Sequence, residues 1–308
     1  MNQQFVSRNQ CPCCQSSSTI QIYSKSYESN ELIHYLREFY LPQGTIDFDK
    51  LKNVDYTLMK CPTCELIYQK HVPNDEILSE LYDQWIDPKL ALERDKKLNL
   101  DYRLFRINEI IKIIDYFNIE AYKLEVLDFG MGWGSLCQQF KSLGVNAKGA
   151  ELSVPRIQNA IKNGIEVLTW EEIRLNKFHF INTDDVFEHL SNPLEILEHL
   201  VNSLLPNGVI KISVPNGLVA RKKIEKMDWY APRASNFNLN EISPLEHLNC
   251  FTPKSLIYLT KQFGLKQINI NEKRSIKDDN HKLINAIKDI YRKKILGLKS
   301  TEIYFQLS

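Results

Sequence analysis

The stretch VLDFGMGWGSL (residues 126–136) is an apolar run that closes on an acid, passes three alternating glycines and enters helix-forming sequence. Gly130, Gly132 and Gly134 permit a tight turn and let a ligand approach the backbone closely, while a helix that starts behind them offers unpaired N–H donors. A strand ending at Asp128 and running into such a loop predicts a small-ligand site at its carboxyl end. The next apolar run ends at Glu151, about 20 residues on, where a carboxylate is placed to take the two hydroxyls of a ribose. Together the two features point to an adenosine-containing cofactor. The glycine spacing is one residue shorter than the dinucleotide fingerprint and lies deep in the chain, which argues against NAD or FAD.

Working outward, short apolar runs alternate with helical stretches: 124–129, 146–152, 178–182 and 209–215 read as strands, which predicts an α/β fold with a parallel sheet. Asn192 with Pro193 opens a helix that Gly208 is expected to close, and Thr252 with Pro253 opens another that stops at Gly264. Upstream, LDYRLFRINEIIKIIDYF (100–117) is amphipathic, with Ile107, Ile110, Ile111 and Ile114 as its expected buried face. The sequence therefore divides near residue 95, into an N-terminal module (1–95) and a larger domain (96–308). The runs 266–270 and 302–308 read as late strands, with an amphipathic stretch between them expected as a helical insertion over 275–297.

The 39 Lys and Arg balance 38 Asp and Glu, so no global basic field attracts nucleic acid or an anionic membrane. The absence of a signal-like segment or of an apolar run of membrane length leads us to expect a cytoplasmic protein. Five of the seven cysteines fall in two clusters, QCPCCQS and KCPTCEL. Cys11 with Cys14 and Cys61 with Cys64 share the C-x-x-C spacing of metal knuckles, and four thiolates suit a closed, structural zinc site. The 46 residues between the knuckles exceed the roughly 15 to 20 of a compact ribbon. Cys13 reads as a spectator, and Cys137 and Cys250 as buried hydrophobes.

Four ordered motifs carry a resemblance: VLDFGMGWG (126–134), GAELS (149–153), FHFINTDDVFEHLSNP (178–193) and LLPNGVIKISVPN (204–216). The chain resembles the class I S-adenosylmethionine-dependent methyltransferases, and most closely the bacterial group whose methyltransferase domain follows two C-x-x-C knuckles, as in sugar C-methyltransferases. That resemblance implies a Rossmann-like seven-stranded sheet with an antiparallel last strand, here 302–308. It implies S-adenosylmethionine as cofactor, with Gly130, Gly132 and Gly134 along its methionine and ribose. Asp128 would orient its amino group or the loop, Glu151 would bind the ribose, Thr169 or Trp170 would flank the adenine, and Asp184 would sit by the sulfonium.

On the acceptor side, the same resemblance points to Glu246 and His247 as catalytic; Asp185, Glu188 and His189 are further candidates to take an acceptor's proton, His189 because an imidazole titrates near neutrality. Pro244 stands where the sugar C-methyltransferases carry Tyr, which counts against C-methylation of a ketosugar. Asp185, Glu188 and His189 also form a D-x-x-E-H run similar to the metal-binding motif of quinone-biosynthesis O-methyltransferases. The aperiodic stretch 221–244, within a substrate loop spanning 217–250, is expected to wall the acceptor. Trp229, Tyr230 and Arg233 are candidates to hold a ring, and Arg221, Lys222 and Lys223 to meet a diphosphate. The resulting expectation is methyl transfer to a small molecule such as a sugar, nucleotide-sugar or natural-product intermediate. The alternative is a zinc-module-guided enzyme or binding protein acting on RNA or protein.

Overall fold

The computed structural model describes residues 4–42, 44–97, 100–233, 235–270 and 300–307; the expected helical insertion at 275–297 lies outside the described residues. The N-terminal part runs β1 (Phe5–Ser7), β2 (Ile20–Ser26), α1 (Asn30–Tyr40), β3 (Asp55–Lys60), β4 (Ile67–Gln69), β5 (His71–Pro73), α2 (Asp75–Glu80) and α3 (Pro88–Lys96). Then α4 (Leu100–Phe117) leads into β6 (Glu125–Phe129), α5 (Ser135–Ser142), β7 (Asn146–Ala150), α6 (Val154–Lys162), β8 (Glu166–Val167), α7 (Trp170–Leu175) and β9 (Phe178–Asp184). The remainder is α8 (Pro193–Val201), β10 (Leu204–Pro215), α9 (Gly217–Ile224), β11 (Asn249–Cys250), α10 (Pro253–Lys261), β12 (Leu265–Ile268) and β13 (Ser300–Leu307).

Seven strands form one sheet in the order β12-β13-β10-β9-β6-β7-β8. The pairs β6/β7, β6/β9, β9/β10 and β7/β8 are parallel, whereas β13 runs antiparallel to both β10 and β12. The expected reversal of the last strand is therefore present. β9 and β10 are buried almost throughout because helices cover both faces, so they read as continuous rather than alternating apolar runs. Strand order reverses between β6 and β9, and the carboxyl ends of two strands diverge there to leave a crevice.

Two expected boundaries shift. The helix opened by Pro193 ends at Val201 rather than at Gly208. Pro206 would interrupt a helix interior, and the LLPNG segment instead enters β10, with Asn207 at φ 61° and an irregular register before Val209. In α4 the buried face is Arg106, Ile110 and Ile113, while Ile111 is exposed. The helix is rotated from its expected face because Arg106 and Glu109 turn inward to meet charges under the crevice.

A second sheet has the order β11-β4-β3-β2, so a strand from the loop after β10 completes the N-terminal sheet. Packing crosses the sequence division near residue 95 in both directions. Ala220, Trp229, Leu239, Ile242 and Leu245 share a core with Leu32, Leu36, Tyr40 and Tyr56, while Cys11 and Cys61 share one with Phe251 and Leu256. Among the described residues no helix is long and apolar enough to cross a membrane.

Candidate active site

The crevice at the ends of β6 and β9 is a cavity of about 270 Å³ whose walls include Asp128, Gly130, Gly132, Tyr102, Arg106 and Asp184. Gly130 and Gly132 adopt φ of 74° and 57°, the left-handed region that glycine enters without strain. A Cβ on Gly132 would meet nothing within 4 Å, so the floor is open there, whereas one on Gly130 would come within 2.5 Å of Val186 Cγ2. Asp128 is buried and accepts from the Asn182 amide at 2.7 Å, while burial raises its acid to about 6.

Other expected ligand residues serve the loop from behind. Gly134, at φ 80°, has no room for a Cβ, which would come within 2.4 Å of Ile165 Cδ1; its role is packing as well as turning. The Glu151 carboxylate accepts from the backbone N–H groups of Gly132 at 3.1 Å, Leu152 at 2.8 Å and Ser153 at 3.1 Å. It thus ties the end of β7 to the glycine loop. Thr169 caps α7 in a reciprocal arrangement with Glu172. Neither Glu151, Thr169 nor Gly134 borders the cavity.

Under the crevice lies a cluster of charges. Arg106 bridges Glu109 at 2.9 Å and pairs with Asp184, and the fully buried Lys211 ammonium meets Glu109 at 2.5 Å and Glu302 at 3.5 Å. Burial opposes charge on Asp184, but Lys211 and Arg106 outweigh it and hold that acid below the usual carboxylate range. Arg106 was not among the sequence candidates. Its spacing from Ile110 and Ile113 on one face of α4 was the available signal.

The acceptor-side candidates do come together. The rings of His189 and His247 have centroids 4.9 Å apart, and the His189 Nδ1 lies 2.8 Å from the Glu246 carbonyl and 3.1 Å from the Tyr82 hydroxyl. A carbonyl only accepts, so Nδ1 carries the proton and Nε2 presents a lone pair. Burial lowers His189 to about 4 and His247 to about 3, so both rings are neutral near pH 7. Glu188 of the D-x-x-E-H run is buried beside them, and burial raises its acid well above the ordinary range. Asp185 does not join this group; it takes φ 53° and faces the crevice instead.

Cys11, Cys14, Cys61 and Cys64 gather with all four sulfurs within 4.8 Å of one another. The Cys11–Cys64 and Cys14–Cys61 sulfurs are 3.5 Å apart, far beyond the disulfide length of about 2.0 Å and near the sulfur separation of a tetrahedral thiolate site. The donor set fits zinc. Cys13 is not one of the four, and its thiol donates to the Ser255 carbonyl at 3.5 Å.

The loop contradicts part of its expected role. Trp229 is only 5% exposed and donates to the Tyr23 hydroxyl, because its ring completes the aromatic core with Tyr35 and Tyr56. Arg221 pairs with Glu65 and Lys223 with the buried Glu241, which spends most of the basic run on protein carboxylates. Arg233 lies over Phe39, and Tyr230 is exposed against His34.

The profile of the methyltransferase domain family matches residues 101–270. The chain is 31% identical over 121 residues to the ubiquinone biosynthesis O-methyltransferase of Rickettsia canadensis, covering 36% of this chain and 51% of that protein. It is 29% identical over 107 residues to the protein of the same name from Haemophilus ducreyi, covering 30% and 45%. The chain thus spans about half the length of the curated relatives it matches. Among solved structures, the plantazolicin methyltransferase BamL in complex with SAH superposes with a TM-score of 0.48 at 17% identity, covering 71% of this chain and 90% of that one. With the family profile spanning more than half of its length, the chain belongs to the methyltransferase domain family.

Proposed function

We propose that this chain transfers the methyl group of S-adenosylmethionine to a small-molecule acceptor such as a sugar, nucleotide-sugar or natural-product intermediate. The observation that carries the reading is the glycine floor, open at Gly132, beside the buried Asp128 and the partly exposed Asp184 that line one crevice. These residues fit the donor: the floor admits its backbone-sized chain, and a buried acid suits its ammonium group. Glu151 would hold the ribose hydroxyls by giving up part of its bonding to the Gly132 N–H, Gly134 would keep the turn in place, and Thr169 would flank the adenine. Asp184 would border the sulfonium side, with its own charge balanced by Arg106 and Lys211.

When bound, the donor supplies a methyl group already activated by its sulfonium. What remains for the protein is to align an acceptor with the S–CH3 bond and exclude water. His189, His247 and Glu246 form the acceptor-side wall and hold the acceptor in line with the donor's methyl group. The N-terminal module supplies Tyr82 to that wall and strands β2 to β4 behind it. Zinc held by Cys11, Cys14, Cys61 and Cys64 staples the module and takes no part in the chemistry. The O-methyltransferase relatives favour an oxygen as the acceptor atom.

A screen of hydroxylated small molecules for release of S-adenosylhomocysteine tests this reading. Turnover with at least one acceptor, abolished by Gly132→Arg, is the expected result. Turnover that persists in Gly132→Arg would place the donor elsewhere.

A further inference from the structure

We propose that Glu188, His189 and His247 form a binding site for a divalent first-row transition-metal ion beside the acceptor. One ligand atom from each lies within 4.8 Å of the others. Bonds of about 2.0 to 2.2 Å place such ligands roughly 3 to 3.5 Å apart, so a slight closing of the cluster around an ion completes the site.

Three features point to a cation. Neither oxygen of the Glu188 carboxyl has a hydrogen-bond partner among the described residues, although the side chain is 1% exposed. The Nδ1 of His247 has no partner either, while the Asn240 and Glu241 backbone engages its ring from the other side. His189 gives its Nδ1 proton to the Glu246 carbonyl, so its Nε2 offers a lone pair 3.7 Å from Glu188 Oε1. That gap is too long for a hydrogen bond, and a proton on Glu188 would serve only one member of the set. A histidine whose second nitrogen is fixed by a backbone carbonyl is the usual form of a metal-ligating imidazole.

The site is also mechanically held. The Asn249 amide donates to the Phe187 carbonyl at 3.1 Å and the Leu190 carbonyl at 2.7 Å, clamping the His247 loop onto the turn that bears Glu188 and His189. Arg8 donates to the Leu248 carbonyl at 2.7 Å and to Asn249 Oδ1 at 2.8 Å from the opposite side. This ligand set differs from the D-x-x-E-H run in using His247 instead of Asp185. Two imidazoles and one carboxylate suit zinc, iron, cobalt, nickel or manganese rather than magnesium or calcium. The partly exposed histidines leave coordination positions toward the acceptor.

The ion's role rests on the methyl-transfer reading above, whereas its binding does not. An acceptor hydroxyl on the ion releases its proton to water more readily. Its oxygen lone pair then forms the new O–C bond as the S–C bond breaks and returns its electron pair to sulfur.

Cobalt(II) titrated into the full-length, zinc-containing protein without methyl donor tests the site. The expected result is one cobalt per chain bound in addition to retained zinc, with d–d absorption and no sulfur charge-transfer band. Glu188→Gln and His247→Ala should each weaken cobalt binding by at least about 100-fold while zinc content and circular dichroism stay unchanged. No added cobalt in the wild type, or unaltered binding in folded variants, overturns the proposal. Should the variants not fold, X-ray absorption of the cobalt-loaded wild type decides: imidazole scattering supports the site, and an oxygen-only shell overturns it. Donor binding without cobalt binding would remove the ion and leave the methyl-transfer reading intact.

Discussion

His189 and His247, carried by two different loops, stand with their ring centroids 4.9 Å apart and their planes at 73°. The pair exists because Asn249 bonds both carbonyls flanking the first loop. Truncating His247→Ala should lower methyl transfer by about 100-fold or more while leaving donor affinity within about twofold. Steady-state turnover and calorimetry separate the two quantities; an equal fall in both would show that the ring supports the fold rather than the reaction.

Asp128 should cost stability in return for function. Its acid is raised to about 6 by burial, above an unfolded value near 3.9, so the fold favours the protonated form. The stabilisation from that preference is full below pH ~3.9 and is lost as pH rises through about 6. Asp128→Asn keeps an oxygen for the Asn182 amide and should be more stable than wild type at pH 7, by on the order of 2 kcal/mol. The advantage should vanish near pH 4. Urea unfolding at both pH values checks this, and an advantage independent of pH would contradict it.

Local features of the chain were legible in the sequence, and long-range ones were not. The loop at 130–134 and the cap at Thr252 announce themselves through glycine and capping chemistry, which act within a few residues. The phase of α4 was misread because Arg106 counts as polar, yet it is buried against Asp184 at the end of β9, which only folding brings near. Trp229 sits in an aperiodic stretch whose burial depends on the N-terminal aromatics. The meeting of Glu188 with His247 and the pairing of β11 with β4 likewise follow from loop placement, which no local pattern encodes.

Lys211 lies at zero side-chain exposure among Glu109, Asp184 and Glu302. Lys211→Met leaves buried carboxylates uncompensated and should destabilise by about 3–5 kcal/mol at pH 7. Asp184 and Glu109 are both held below their ordinary range, despite burial, chiefly by Lys211 and Arg106. Their contribution is therefore full above the unfolded values near 4, begins to fall there, and is lost progressively as pH drops through their depressed folded values. The gap between variant and wild type should shrink in acid. Denaturant titrations at pH 7 and pH 3.5 measure it, and a gap that widens in acid would refute the arrangement.

Replacing Cys61→Ser should remove one equivalent of zinc and lower the melting temperature by more than about 10 °C, because the thiolate cluster shares its core with Tyr68, Phe251 and Leu256. Metal analysis beside a thermal scan checks both. Retained zinc with unchanged melting would show that Cys61 is a plain buried thiol.

The central claim is that the crevice over Gly130 and Gly132 takes the methyl donor. Calorimetric titration of the wild type, Gly132→Arg and Glu151→Ala with S-adenosylmethionine tests it most directly. One site per chain in the wild type is the result we predict, with no measurable binding to Gly132→Arg and binding at least about tenfold weaker to Glu151→Ala. Absence of binding to the wild type, or equal affinity across all three proteins, would contradict it.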